Sequence, residues 1–326
     1  MKDDWLAQAR EMHRRYPVVD AHCDTISQLI RGGRLGEPGS PGQVDLRRLQ
    51  AAGIRLVFFS LFVEPEFQAA GSLRRALCLL DCFWQEYLAL REQLLVVREK
   101  KDLAVVKAGR KLGVLLTLEG GEALEGELGI LRQFYRLGVR GAGLTWNRRN
   151  ALAGGIEESR APGLSDFGAA VVREMNRWGM LIDVSHLHER AFWEVLEVSR
   201  APVVASHANA YRLCPHPRNL KDEQLRALAA RGGVVGVTFV PAFVAAEAPS
   251  VERVADHLEY LCQIMGVEAV GLGSDFDGTR EVIPGLEDAA ALPHLTACLL
   301  ARGWREEEVG KILGGNWLRL LEHLLP

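Results

Sequence analysis

The chain has 326 residues, of which 48% are hydrophobic and 25% charged, and its formal net charge is −3. This composition excludes fibrous and disordered chains and provides for a large buried core. Acidic and basic residues are mixed along the chain rather than gathered in blocks, which argues against nucleic acid as a partner.

The first residues, MKDDWLAQAREMHRRYP, carry charges every few positions and lack the apolar centre of a secretory signal. No later stretch reaches the roughly 18 uninterrupted apolar residues of a membrane helix, so a cytoplasmic chain with no membrane partner is expected. Eight short apolar runs then follow in order: Val18–Cys23, Ile54–Phe62, Gly113–Leu118, Val139–Thr145, Met180–Ser185, Pro202–Ser206, Gly233–Phe239 and Ala269–Ser274. Their non-alternating character predicts strands covered on both faces. Helices are expected over Ser72–Arg98, Gly126–Leu137, Ser165–Trp178, Glu189–Ser199, Lys221–Arg231, Ser250–Met265 and Glu306–Leu325, with Gly138 and Gly179 as C-terminal caps. Gly32–Gly42 and Ala151–Pro162 read as loops leaving the first and fourth strands. Strands alternating with helices predict an α/β fold, a (β/α)8 TIM barrel of the metal-dependent hydrolase type, with a doubly wound open sheet as the alternative. No linker of changed composition divides the chain, so one domain over 1–326 is expected. The six cysteines, Cys23, Cys78, Cys82, Cys214, Cys262 and Cys298, form no CxxC pair and are expected to be mostly buried free thiols.

The polar residues decide between barrel and open sheet. The first run ends in His22 and Asp24, two residues apart and on one side of an extended chain. Glu119 follows the third run, His186 the fifth, His207 the sixth and Asp275 the eighth. In a barrel every one of these C-terminal ends opens on the same mouth, where such enzymes place their chemistry; an open sheet offers no comparable convergence. Imidazole and carboxylate ligands suit zinc or another divalent ion, and Cys23 points away. Five ligands exceed the three that a single catalytic zinc takes from protein, so Glu119 is read as bridging two ions, with a hydroxide held between them as nucleophile. Asp275 is then free to act as proton acceptor, although Asp277, two residues on, competes by spacing.

The segments VVDAHCDT, LEGG, LIDVSH, PVVASHANAYRLCPHPRNL, GLGSDFDG, PGLED and GGNWLRLLE together resemble the membrane (renal) dipeptidase family of zinc peptidases, family M19, over nearly the whole chain. The resemblance implies two zinc ions, with His22 and Asp24 on one, Glu119 bridging, and His186 and His207 on the other. It implies Asp275 as the acid–base carboxylate and Arg218 as the group that holds a dipeptide's C-terminal carboxylate, a task suited to a guanidinium fork. Family members are often homodimers, which sets that expectation here. The secreted, lipid-anchored form of the mammalian members is not expected, since Trp317–Pro326 is short and polar for an anchor signal.

One departure stands out. Where better-known members carry a substrate-binding histidine after the fourth strand, this chain reads LTWNRRN, placing Trp146 there with Asn147 and Arg148 beside it. Trp146 is expected to wall the pocket, Asn147 to help bind substrate and Tyr211 to line the mouth. The leading reading is a zinc dipeptidase acting on a small-molecule dipeptide. The alternatives are a barrel amidohydrolase cleaving an N-acyl amino acid or lactam, and a metal-stabilised binding protein without turnover. His13, His188, His257, His294 and His323 read as surface residues, while His216, close to Arg218, is given no role.

Overall fold

The computed structural model describes residues 2–160 and 162–326. Among them nine strands form: β1 Val18–Cys23, β2 Ile54–Phe62, β3 Leu94–Val96, β4 Leu112–Glu119, β5 Val139–Gly143, β6 Leu181–Asp183, β7 Val203–Val204, β8 Val235–Val237 and β9 Val270–Leu272. All pair in parallel, in the order β7-β6-β5-β4-β2-β1-β9-β8. A parallel bridge from Ala205 to Val235 joins the two ends, so the eight strands close into a barrel with helices outside. Each of the eight expected runs coincides or overlaps with one of these strands.

β3 is the exception to the expected pattern. It pairs only with the start of β4, from Leu94 opposite Leu112 to Val96 opposite Val114, while β5 takes the same edge from Leu116 onward. The helix expected to reach Arg98 therefore ends at Leu90. Three Leu and Val residues continue a helical apolar stripe as readily as they make a strand, so nothing local marks the change. The closing helix also differs, running as Glu306–Gly310, a π turn at Lys311–Gly315, and Asn316–Leu324.

Val19, Ala21, Leu56, Phe58, Leu115, Leu181 and Val204, taken from alternate strand positions, form one buried cluster together with Trp317. The Trp317 indole donates to the Leu272 carbonyl at 3.1 Å and meets Phe58 edge-on. Gly271 permits this approach, since a Cβ there would lie 2.3 Å from the indole nitrogen. Other apolar strand residues, such as Val57, Phe59 and Leu116, belong to the larger cluster formed with the helices. Gly179 caps its helix in the left-handed region at φ 64°, as expected. No helix among the described residues is long and apolar enough to cross a membrane.

Two histidines expected at the surface are buried. His257 accepts from the Ala210 N–H and donates to the Val244 carbonyl, at 3.1 and 2.9 Å. His13, on the unexpected helix Lys2–Arg15, binds the Ala52 carbonyl at 2.6 Å and the Thr296 hydroxyl at 2.8 Å, joining that helix to Pro293–Ala301. The thiols depart the other way, since only Cys23 and Cys214 are buried. Burial holds His13 at about 4, against an ordinary 6.5, and the Ala52 contact only partly opposes that. The unfolded chain therefore binds the proton first: the stabilisation is complete above pH 6.5 and is lost as pH falls towards 4. Urea unfolding at pH 7 and pH 5 is expected to show a loss about 2 kcal/mol larger for the parent than for His13→Gln, which cannot titrate. Equal losses would rule out this role.

Candidate active site

β1 carries one residue more than its partner between Asp20 and Cys23, where the register with β2 shifts. This bulge breaks the alternation and lets both Ala21 and His22 face inward. Asp24 has already left the strand, at φ −92° and ψ 24°, and begins the helix Thr25–Leu29. It still converges: His22 Nε2 lies 3.6 Å from Asp24 Oδ2 and 3.3 Å from Glu119 Oε2. The other Glu119 oxygen, Oε1, lies 3.0 Å from His186 Nε2 and 4.0 Å from His207 Nε2. Two groups able to hold a cation thus share Glu119, one with His22 and Asp24 and one with His186 and His207.

The hydrogen bonds behind His186 show which of its nitrogens is free. Asn147 Nδ2 donates to the Glu157 carboxylate at 2.9 Å, so its Oδ1, 2.8 Å from His186 Nδ1, must accept from that nitrogen. The His186 Nε2 lone pair then faces His207 Nε2 at 2.9 Å and Glu119 Oε1 at 3.0 Å. Arg218 Nη2 donates to His186 Nε2 at 3.0 Å, but no proton stands between that nitrogen and Glu119 Oε1, an arrangement that a bound cation would satisfy. His22 Nε2 and Asp24 Oδ1 are buried with no hydrogen-bond partner, which has the same meaning. A divalent ion bound by nitrogen and oxygen fits this donor set.

The buried charges act strongly on one another. Burial works against the charge of His22, but Glu119 and Asp24 outweigh it and hold the imidazole well above its ordinary value. Burial likewise pushes Glu119 up, and His22 with His186 draws it well below the carboxylate range. Burial and then the Glu119 charge raise Asp24. His186 is lowered to about 4 by burial and by Arg218. Asp275 is raised to about 6 by burial and Glu119, against the pull of His22 and Arg218.

Asp275 and Asp277 both lie in the left-handed region, at φ 65° and 68°, where a non-glycine residue is strained. Their side chains part company. Asp275 Oδ1 is 4.0 Å from His22 Nε2, whereas Asp277 accepts from Gln43 N–H at 2.6 Å and the Thr25 hydroxyl at 2.8 Å. Gly278 completes the turn, because a Cβ there would lie 2.1 Å from Asp275 Oδ1 and 2.5 Å from Asp24 Oδ2.

Above these groups opens a cavity of about 1120 Å³ lined by Asp24, Glu119, His186, Asp275, Arg218, Trp146 and Asn147, among others. Arg218 is buried; it donates to the Ser185 carbonyl and approaches His186 Nε2 at 3.0 Å. Trp146 packs beside Phe62, the rings tilted by 56° with centroids 5.1 Å apart, and forms an apolar wall. Asn147 lines the cavity with its amide already engaged at both ends. Tyr211 is not brought to the cavity: it is 38% exposed, because the chain turns where its N–H pairs with the Leu220 carbonyl. Sequence reasoning overlooked Asp20, whose buried carboxylate accepts from Ser274 N–H at 2.8 Å and its hydroxyl at 2.6 Å, tying β1 to the segment after β9. Its position two residues before His22 is the signal that could have found it.

A closed parallel barrel with imidazoles and carboxylates gathered at the C-terminal mouth defines a metal-dependent hydrolase of the amidohydrolase-like class. The profile of the membrane dipeptidase family, peptidase family M19, matches residues 6–324. An uncharacterized Klebsiella pneumoniae protein from the pqqA 5′ region is 37% identical over 264 residues, 75% of this chain and 97% of that protein. A Rhodobacter sphaeroides metallopeptidase, solved with a phosphinate mimic of L-Ala-D-Ala, superposes with a TM-score of 0.88 at 30% identity, covering 95% of this chain and 99% of its own. Dipeptidase AC, also of family M19, superposes at 0.89 with 30% identity over the same shares. The chain belongs to the membrane dipeptidase family and is a metal-dependent dipeptidase.

Proposed function

We propose that the chain is a single-domain, binuclear zinc dipeptidase of the cytoplasm, with His22 and Asp24 on one ion, His186 and His207 on the other and Glu119 shared. The observation that carries this reading is the division of the Glu119 oxygens, Oε2 towards His22 at 3.3 Å and Oε1 towards His186 at 3.0 Å. The free state of all six cysteines supports the cytoplasmic assignment. When bound, the ions supply the charge that polarises the scissile carbonyl and acidifies water. Arg218 receives the substrate's C-terminal carboxylate through its planar fork. Asp275 takes the proton of the attacking water and returns it to the leaving amine. Trp146 and Phe62 pack against an apolar substrate side chain and shed water from that wall. Asn147 acts through His186, whose ring it holds, more than on substrate directly.

The Rhodobacter sphaeroides relative makes L-Ala-D-Ala the first substrate to try. Zinc-loaded protein is expected to hold about two equivalents, since each half of the Glu119 cluster offers three ligands. It is also expected to cleave free dipeptides while leaving N-acylated amino acids and lactams intact. Cleavage of the blocked substrates alone would move the assignment to another amide, and a single equivalent of zinc would remove the second ion.

A further inference from the structure

We propose that the Ser206 hydroxyl, held by Asp183, sets the tautomer of two metal-ligand histidines, one in each half of the site. Ser206 thereby acts as a positioning residue that couples the two halves. The inference rests on the ligand assignment proposed above. Asp183 ends β6, and Ser206 follows β7 on the inward side continued from Val204. Asp183 Oδ1 accepts from Ser206 N–H at 3.0 Å, Ser185 N–H at 3.0 Å and the Ser185 hydroxyl at 2.6 Å. Its Oδ2 accepts the Ser206 hydroxyl. That bond consumes the only proton the hydroxyl has, leaving its oxygen as an acceptor.

Two imidazoles meet that oxygen. His207 Nδ1 lies 2.7 Å from Ser206 Oγ, and His22 Nδ1 lies 3.4 Å from it. Both can approach only as Nδ1–H donors, so the lone pair of each ring is placed on Nε2, the atom that faces Glu119. The donor atoms of His22, Asp183 and His207 all lie within 4.8 Å of one another, and Ser206 Oγ touches all three residues. His186 obtains the same tautomer separately from Asn147. One hydroxyl therefore prepares a ligand for each ion, and losing it affects both.

The test is zinc binding to chelator-stripped protein, read by competition with a chromophoric chelator, with histidine nitrogen NMR on the zinc-free protein. The parent is expected to bind two equivalents. Ser206→Ala is expected to bind both about 10- to 100-fold more weakly, the usual effect of removing a partner behind a metal ligand. Asp183→Asn keeps an acceptor for Ser206 N–H but donates to its hydroxyl, turning the hydroxyl proton onto His207. It is expected to weaken zinc at the ion that His207 serves and to move the His207 proton from Nδ1 to Nε2, and it carries the test if Ser206→Ala does not fold. Parental affinity in both variants, an unchanged His207 tautomer in Asp183→Asn, or loss at one ion alone in Ser206→Ala would overturn the proposal. A parent that takes up no zinc would instead overturn the ligand assignment beneath it.

Discussion

Asp275→Asn is expected to lower kcat for dipeptide hydrolysis by about 10²- to 10⁴-fold, the range for losing a positioned general base or acid. Zinc content and melting temperature should stay near parental values. The amide has the shape of the carboxyl and tolerates the left-handed backbone that Asp275 occupies at φ 65°. It cannot accept and return a proton. Asp275 faces His22 at 4.0 Å, whereas Asp277 is tied by Gln43 and Thr25. Steady-state kinetics on the zinc-loaded variant decides the matter: activity within threefold of the parent would exclude Asp275 from proton transfer, and a comparable loss in Asp277→Asn with folding intact would move the role two residues along.

Glu119→Gln is expected to have the larger effect, a fall in kcat/KM of at least about 10³-fold, because it removes charge that several kcal/mol of metal-based stabilisation depend on. Glu119 serves His22 with one oxygen and His186 with the other. A glutamine keeps one oxygen and presents an N–H₂ on the other side, to a lone pair or a cation. Metal analysis after dialysis against zinc should therefore find at most one equivalent, and excess zinc in the assay should not restore activity. Two equivalents retained at parental affinity would show that Glu119 is not the shared ligand.

Both residues are legible in the amino-acid sequence alone, and their legibility has a physical basis. A parallel barrel sends the C-terminal end of every strand to one mouth, so a polar residue that closes an apolar run is already placed. His22, Glu119, His186, His207 and Asp275 each close or follow such a run, and they meet in space. The strand positions are readable for the same reason, since strands buried on both faces are written as continuous apolar segments. β3 escapes because three residues against the lower edge of β4 make no pattern of their own.

What the sequence determined by itself was the closed barrel and the convergence of imidazoles and carboxylates at its mouth. The tertiary structure decided which polar atoms are free to act there. Asp277 is engaged by Thr25 and Gln43 from more than two hundred residues away. Asn147 is held between His186 and Glu157, Tyr211 turns away beside Leu220, and His13 and His257 go into the interior. Ser206 and Asp183, unremarkable in the chain, stand behind two of the rings that face Glu119. Position along a strand is a local property that alternation and length encode. Whether a polar atom already has a hydrogen-bond partner depends on segments remote in sequence, and only their packing together can decide it.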